Sequence, residues 1–315
     1  MIRLNQTALI LTVLLILGGG ISGLVSCQEE VPTPPQDYTD SIQSGGLERT
    51  YLVHIPPPLN RNKRMPLVFV LHGGGGTGDG MKKLTFNRFD TLADQEGFIV
   101  VYPDGFEKSW NDGREGGEFG AHREKIDDVG FFSALIDHFI KELNADPKRV
   151  YFTGISNGAL MSHRLACELS SKIAAIAPLC GSKPTGSSCS PSRPVSVLVI
   201  NGTADRLAPW EGGWVAGKKL SVPESIQFWV AHNQCAPTPI TTELPDTDPT
   251  DGTRVRLETY GNGREGTEVI LCVVEGGGHT WPGGLQYLPE TTIGKTSKDI
   301  NACDLIWDFF KRHTR

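Results

Sequence analysis

The sequence predicts an α/β fold, in which a mostly parallel β-sheet is flanked by helices on both faces and carries no large lid. Short apolar runs, typical of buried parallel strands, alternate along the chain with segments of helical periodicity. Glycine-rich or polar turns follow several of these runs directly. Although 315 residues is long for one domain, no internal repeat or second core is visible.

The strands are predicted from runs rich in β-branched and aromatic residues that are bounded by turn residues. In chain order they lie near 48–55, 66–71, 97–102, 149–153, 173–179, 195–200, 253–260 and 267–274. The run at 66–71 is almost continuously apolar, as expected for a strand that is buried on both faces.

The helices are predicted where apolar residues recur at helical spacing. They lie near 84–95, 128–143, 158–170, 223–233 and 299–312. The Pro- and Thr-rich piece at 236–252 is interpreted as a surface loop, because the strand pattern resumes after it. No insertion before or after Asp205 is long enough for a helical lid, so we expect an open cleft.

The segment 149–165 is typical of a strand, a sharp elbow and a helix, with Ser156 at the elbow. Gly154 and Gly158 complete the pattern G-x-S-x-G, in which the turn exposes the central serine side chain. Because glycine and serine are frequent in this chain, the pattern needs its strand and helix context to be informative. Ser156 is thus a candidate nucleophile, and the alternative is an ordinary serine in a glycine-rich turn.

A serine nucleophile needs a base, and the base needs an orienting acid. Asp205 lies in the loop after the strand at 195–200, and His279 follows the strand at 267–274 on a glycine-rich loop. The chain order Ser, Asp, His is that of α/β-hydrolases. Alternatively, Asp205 is only an Asx-turn residue and His279 is structural.

A second glycine-rich loop follows the strand at 66–71, beginning at His72. Backbone that lacks side chains can approach a reacting carbonyl and direct N–H groups at the developing oxyanion. The N–H of Asn157, directly after the candidate nucleophile, is the expected second donor. A phosphate-binding loop is disfavoured, because no Lys-Ser or Lys-Thr follows.

These motifs resemble the extracellular esterase family of poly(3-hydroxybutyrate) depolymerases and feruloyl esterases. The resemblance extends from about residue 47 to 310 and is carried by LHGGGGTG (71–78), IDDVGFFSALID (126–137), RVYFTGISNGALMSHRLACE (149–168), VLVINGTAD (197–205) and VEGGGHTWPGG (274–284). It implies an α/β-hydrolase fold with Ser156, Asp205 and His279 as catalytic triad, and Gly74 with Asn157 as oxyanion donors. Several depolymerases of this type carry a cysteine where this chain has Gly74, which leaves polyester and plant-ester substrates both open.

The first residues predict export. Residues 1–27 have the pattern of a signal peptide that ends in a lipobox, with Cys27 as the lipidated residue. Simple signal cleavage nearby is the alternative. Residues 28–44 are predicted to be a disordered tether, and 45–315 an esterase domain. We therefore expect a secreted or bacterial cell-envelope protein, periplasmic or surface-exposed, that contacts the membrane through a lipid on Cys27.

Six further cysteines can be oxidised in an exported protein. They allow fifteen connectivities, of which the pairs Cys180–Cys189 and Cys235–Cys272 are hypotheses. Because no C-x-x-C motif or close Cys/His cluster is present, we expect neither a metal ion nor another cofactor.

The net charge of −6 and pI near 5.8 disfavour nucleic acid as a partner, and we expect a monomer that binds an ester substrate. Trp110, Trp210 and Trp281 fall in loops after strands and are predicted to contact this substrate, with loop packing as the alternative. The loop 105–125 is expected to line one wall of the cleft.

Together these features predict an exported serine ester hydrolase that forms an acyl-enzyme. Its substrates would be hydroxybutyrate polymers or oligomers, or feruloyl and acetyl esters linked to polysaccharide. A non-catalytic surface binding module is one alternative. A serine peptidase is the other, although the chain lacks the propeller or capping domain that such peptidases carry.

Overall fold

A ten-stranded sheet forms the centre of the computed structural model, which describes residues 36–57, 63–186, 188–213 and 217–315. The strands are β1 Gln36–Ser44, β2 Leu47–Ile55, β3 Met65–Leu71, β4 Ile99–Pro103, β5 Ala145–Ile155, β6 Ala175–Leu179, β7 Ser196–Gly202, β8 Ile240–Glu243, β9 Arg254–Tyr260 and β10 Val269–Glu275. The helices are α1 Gly78–Leu84, α2 Arg88–Glu96, α3 Gly120–Arg123, α4 Asp128–Glu142, α5 Asn157–Glu168, α6 Val222–Asn233, α7 Glu290–Ile293 and α8 Ala302–Phe310, with a 3₁₀ turn at Arg264–Gly266.

The strand order is β1-β2-β4-β3-β5-β6-β7-β10-β9-β8. The six strands from β4 to β10 in this order are mutually parallel, and antiparallel strands flank them on each side. Because the carboxyl ends of parallel strands meet at one edge, the loops after β3, β5, β7 and β10 converge there. These four loops carry Gly74, Ser156, Asp205 and His279.

The sheet separates two apolar layers, and β3 shows how the sequence forms both. Phe69 packs on one side with α4, α5 and α6, whereas its neighbours Val68 and Val70 pack on the other with α1, α2 and α8. Successive side chains of a strand point to opposite faces, so an unbroken apolar run fills both layers. The fold is the predicted one.

All eight predicted strands and all five predicted helices are present, with ends shifted by a few residues. No strand was predicted at β1 or β8, because these segments expose most of their residues and lack an apolar alternation. It also missed the short helices α1, α3 and α7. In the described ranges, no helix lies between β6 and β7 or between β7 and α6, as expected for a cleft without a helical lid.

The predicted disordered tether is wrong at its carboxyl end. Gln36–Ser44 forms β1 and pairs residue by residue with β2. Backbone hydrogen bonds to β2 run along the whole strand, whereas its side chains are at most partly buried, which explains why hydrophobic patterning did not reveal it. Cys27 and the predicted signal peptide lie outside the described residues. Across the part of the chain that the structure describes, helices are too short or too polar to cross a bilayer.

One disulfide, Cys167–Cys189, joins the end of α5 to the loop before β7. Both hypothesised pairs are wrong, because Cys180, Cys235 and Cys272 are buried free thiols in the described chain, as is Cys303. Cys235 packs in the layer with α6, whereas Cys272 packs in the layer with α8, so the sheet separates them. The sheet separates Cys180 from Cys189 in the same way.

Loss of the Cys167–Cys189 bond is expected to lower the free energy of unfolding. For a separation of 22 residues, the loop-entropy model gives about 3 kcal/mol. Denaturant unfolding of Cys167→Ala, Cys189→Ala and the double variant should show similar losses for all three, because one bond is removed each time. Additive losses would contradict the pairing. As a direct check on a chain that begins at residue 28, alkylation under denaturing conditions should label four thiols before reduction and six after it.

Candidate active site

Ser156 lies at a sharp elbow between β5 and α5, with φ 56° and ψ −120°. A residue with a side chain rarely adopts this conformation, which costs about 1–3 kcal/mol. Two hydrogen bonds hold it: Ser156 N–H donates to the Leu179 carbonyl (2.9 Å), and its own carbonyl accepts from Leu160 N–H (3.0 Å). Gly158 permits close packing of α5, because a Cβ there would lie 2.6 Å from the Leu71 and His72 carbonyl oxygens.

The Ser156 side chain faces a cavity of about 580 Å³ at the carboxyl edge of the sheet. His279 lines the same cavity, as do Gly74 and its neighbours in the loop after β3. Most of the remaining wall is apolar. Its larger apolar members are Met81, Leu84, Phe119, Ile155, Leu160, Leu207, Leu285, Tyr287 and Leu288.

Asp205 and His279 form a buried hydrogen-bonded pair, with 2.7 Å between Asp205 Oδ2 and His279 Nδ1. The other carboxylate oxygen accepts the N–H groups of Leu207 (2.8 Å) and Ala208 (2.7 Å). Asp205 is therefore both the Asx-turn residue considered above and the partner of His279. Because an ionised carboxylate only accepts hydrogen bonds, Nδ1 carries a proton and Nε2 is the basic nitrogen.

Cys180 lies beside this pair, a contact that the sequence did not indicate. Its thiol, Asp205 and His279 present donor atoms within 4.8 Å of one another, a spacing that a metal ion could bridge. However, the thiol donates to the Thr280 carbonyl (3.2 Å), and burial raises its pKa well above the ordinary value. Cys180 is thus a neutral thiol, and His279 Nδ1 is already bonded to Asp205. This arrangement suits proton transfer at Nε2 better than metal ligation.

The N–H groups of Gly74 and Asn157 belong to the two elements that border Ser156. Asn157 is the first residue of α5, so its N–H has no acceptor within the helix. The Gly74 N–H also makes no hydrogen bond to any described residue. Phe119 packs directly on Gly74, where a Cβ would lie 2.5 Å from the ring Cζ.

Trp110 connects these two elements. Its Nε1–H donates to the His72 carbonyl (2.9 Å), and its backbone N–H and carbonyl bind the Asn157 side-chain amide (2.8 and 2.9 Å). His72 is fixed in turn, since Nδ1–H donates to the Gly73 carbonyl (2.7 Å) and Nε2 accepts from Gly105 N–H (2.9 Å). Burial lowers the pKa of His72 and keeps it neutral. Trp110 thereby fixes the spacing between the two candidate oxyanion donors.

The predicted substrate contacts of the tryptophans are wrong for Trp110 and Trp281, which are fully buried. Trp281 packs edge to face on Phe89, with ring centres 6.1 Å apart. Trp210 is half-buried against the core and is not part of the cavity wall. A position after a strand does not reveal whether a ring points inward or outward. Phe119 and Tyr287, which do line the cavity, carried no sequence signal for this role.

The buried carboxylate of Asp112 contacts the Asn157 side chain. Asp112, which is fully buried, accepts hydrogen bonds from the Asn157 amide (2.6 Å), His122 Nε2 (3.0 Å) and the Arg114 guanidinium. Burial alone would raise the pKa of Asp112, but the hydrogen bonds from His122 and Arg114 hold it at about 2. Because Arg114 and Phe119 also line the cavity, the loop 105–125 forms part of its wall, as predicted.

The chain is similar to known proteins over most of its length. Residues 49–203 match the family described as Esterase PHB depolymerase. NocK of Nocardia uniformis subsp. tsuyamanensis, which is named as an esterase, is 30% identical over 88% of this chain and 84% of its own length. This chain belongs to the Esterase PHB depolymerase family. It is therefore a carboxylic ester hydrolase, and neither a binding module nor a peptidase is favoured.

Other esterases are similar over different shares of their length. Feruloyl esterase B of Piromyces equi is 29% identical over 73% of this chain, but the match spans only 42% of that longer protein. The solved structure of an acetyl xylan esterase from Aspergillus awamori covers 89% of this chain and 99% of its own, with a TM-score of 0.56 and 17% identity. At this identity the structural likeness supports the fold alone.

Phe119 is expected to make residue 74 intolerant of any side chain. Gly74→Ala would displace either the ring or the loop, because the new Cβ would lie 2.5 Å from the Phe119 ring. An oxyanion donor contributes about 2.7–4 kcal/mol, so its loss should lower kcat by about 100- to 1000-fold. The measurement is steady-state hydrolysis of p-nitrophenyl butyrate.

Phe119→Ala combined with Gly74→Ala should recover much of this loss, and Phe119→Ala alone serves as the control. A double variant as impaired as Gly74→Ala would mean that the ring is not the obstacle.

Proposed function

We propose that this family member is a serine esterase, in which Ser156 is the nucleophile, His279 the general base and Asp205 the residue that orients it. The observation that carries the proposal is the hydrogen-bonded Asp205–His279 pair on the same cavity as the strained Ser156 elbow. A base with a fixed tautomer that lines the same cavity as a serine hydroxyl is an arrangement that can activate the serine.

In this mechanism Ser156 Oγ attacks the ester carbonyl while its proton passes to His279 Nε2. The carbonyl oxygen becomes negatively charged and accepts hydrogen bonds from the N–H groups of Gly74 and Asn157. The C–O bond to the alcohol then breaks, and the alcohol leaves with the proton from His279. Water attacks the acyl-enzyme by the same route in reverse, which releases the acid and restores Ser156.

The cavity rim favours an apolar, extended ester. Leu207, Leu285, Tyr287 and Leu288 are exposed large apolar residues that all border the cavity. A cluster of exposed apolar side chains usually marks a contact surface. Together with the open cleft, the rim supports a polyester, or a feruloyl or acetyl ester on a polysaccharide, as the substrate. The family description and the name of the Piromyces relative point to the same two groups.

We also propose that the protein is exported, anchored by a lipid on Cys27 and active as a monomer. The apolar run at 8–17, followed by Leu24-Val25-Ser26-Cys27, supports the anchor. The Cys167–Cys189 disulfide supports an oxidising compartment, because such bonds are rare in reducing ones. The acidic net charge makes lipid, rather than basic surface, the membrane contact.

Ser156→Ala is expected to abolish hydrolysis of p-nitrophenyl acetate and butyrate by residues 28–315, with kcat falling about 10⁴-fold or more. Ser162→Ala is the matched control, since this serine lies in the same helix and, among the described residues, its hydroxyl donates only to the Gly158 carbonyl (2.9 Å). A fluorophosphonate should label the wild type and the control but not Ser156→Ala, as read by intact mass. Retained activity in well-folded Ser156→Ala would refute the mechanism. Methyl ferulate and hydroxybutyrate oligomers then distinguish the two substrate groups.

A further inference from the structure

His279 lies on a glycine-rich loop that other segments must hold in place. The loop follows β10, and the three residues before His279 are glycines, which restrict the backbone least. Its N–H groups are bound on one side, because Gly278 donates to the Lys295 carbonyl (2.9 Å) and His279 donates to the Ile293 carbonyl. These bonds hold the N–H side of the loop and leave its carbonyl side to other groups.

Two side chains that line the cavity bind the carbonyl side of this loop. The Tyr287 hydroxyl donates to the carbonyl of His279 itself (2.9 Å). The Cys180 thiol donates to the carbonyl of the next residue, Thr280 (3.2 Å). A hydroxyl is a better hydrogen-bond donor than a thiol, so Tyr287 is the stronger of the two supports.

Tyr287 is itself fixed by the short segment that carries it. The Leu285 N–H donates to the Leu84 carbonyl at the end of α1 (2.9 Å). The Gln286 side-chain amide donates to the Gly294 carbonyl (3.0 Å), which ties the segment to the end of α7. Burial raises the pKa of Tyr287, so its hydroxyl stays protonated and able to donate. The hydroxyl is thus a positioned donor rather than the end of a freely rotating surface side chain.

The same tyrosine is also part of the cavity rim. It lines the cavity that Ser156 and His279 share, and 38% of the residue is exposed. A phenylalanine ring would provide the same apolar wall, so the ring alone does not account for a tyrosine at this position. What the hydroxyl adds is the hydrogen bond to the His279 carbonyl. The contact therefore bears on the base rather than on the wall.

We propose that Tyr287 is a positioning residue for the general base, which holds the His279 backbone so that Nε2 stays directed at the cavity. This inference rests on the proposed function, since that function assigns the role of base to His279. Proton transfer needs the imidazole within hydrogen-bond reach of the serine hydroxyl, and a loosely held glycine loop would allow other orientations. Restricting the loop beforehand lowers the entropic cost of the transition state, so its release should appear in kcat rather than in KM.

Tyr287→Phe tests this role, because it removes the hydroxyl and keeps the ring. With p-nitrophenyl butyrate, kcat should fall about 3- to 10-fold, the effect expected for one hydrogen bond, whereas KM should stay the same. Tyr151→Phe is the matched control, since its hydroxyl also donates to the backbone carbonyl of a histidine, His313 (2.6 Å), and neither residue lines the described cavity. The control should be less stable to denaturant and keep its kcat.

A second background shows whether the effect passes through the base. His279→Ala protein should retain only the residual catalysis that binding and the oxyanion donors provide. In this background Tyr287→Phe should cause no further loss of p-nitrophenyl acetate hydrolysis, because the group that it positions is gone. An equal fold loss with and without the imidazole would mean that the tyrosine supports the cavity in general, and would overturn the proposal.

The outcomes separate this inference from the proposed function. Unchanged kcat in Tyr287→Phe, or a change in KM alone, would overturn the positioning role and leave the esterase intact. Absence of all hydrolysis, or hydrolysis that survives Ser156→Ala, would count against the proposed function. In that case hydrogen exchange decides on the contact, because the amides of residues 278–280 should exchange about 3- to 10-fold faster in Tyr287→Phe than in the wild type or Tyr151→Phe. Equal exchange would overturn it.

Discussion

The strained backbone of Ser156 is the constraint on which the site depends. A positive φ at a serine is unfavourable, and it persists because hydrogen bonds to the Leu179 carbonyl and from Leu160 N–H fix both of its neighbouring peptides. β5 pairs with β3 and β6 over its apolar length, so the elbow extends from a strand in the middle of the sheet. The sheet thus provides the stabilisation that a strained turn lacks.

A buried polar cluster connects the elbow to the neighbouring loops. Trp110 and Asp112 saturate the Asn157 amide, and Trp110 also holds the His72 carbonyl. Polar groups away from water are favourable only when each finds a partner, so the cluster has few alternative arrangements. The two candidate oxyanion donors therefore keep a fixed spacing without any contribution from substrate.

The chemistry of the loops could be predicted from sequence, but the orientation of side chains could not. Glycines mark the turns around Ser156 and before His279, because backbone there approaches other backbone closely. No comparable pattern indicates whether the Trp110 ring faces the cavity or the core. Phe119 lies in a loop, where no helical or strand periodicity predicts the direction of its side chain. One of the hypothesised disulfides could have been excluded from the sequence. Side chains alternate along β10, which places Cys272 on the opposite face of the sheet from Cys235. β1 gave no signal, because its pairing relies on backbone.

The buried hydrogen bonds of His72 have a consequence for acid tolerance. A proton added at Nε2 would point at the Gly105 N–H, which already donates to that atom, so protonation would break the contact between the two loops. Since burial lowers the pKa of His72, mild acidification leaves this imidazole uncharged. The glycine loop can therefore keep its shape at pH values where exposed histidines gain charge.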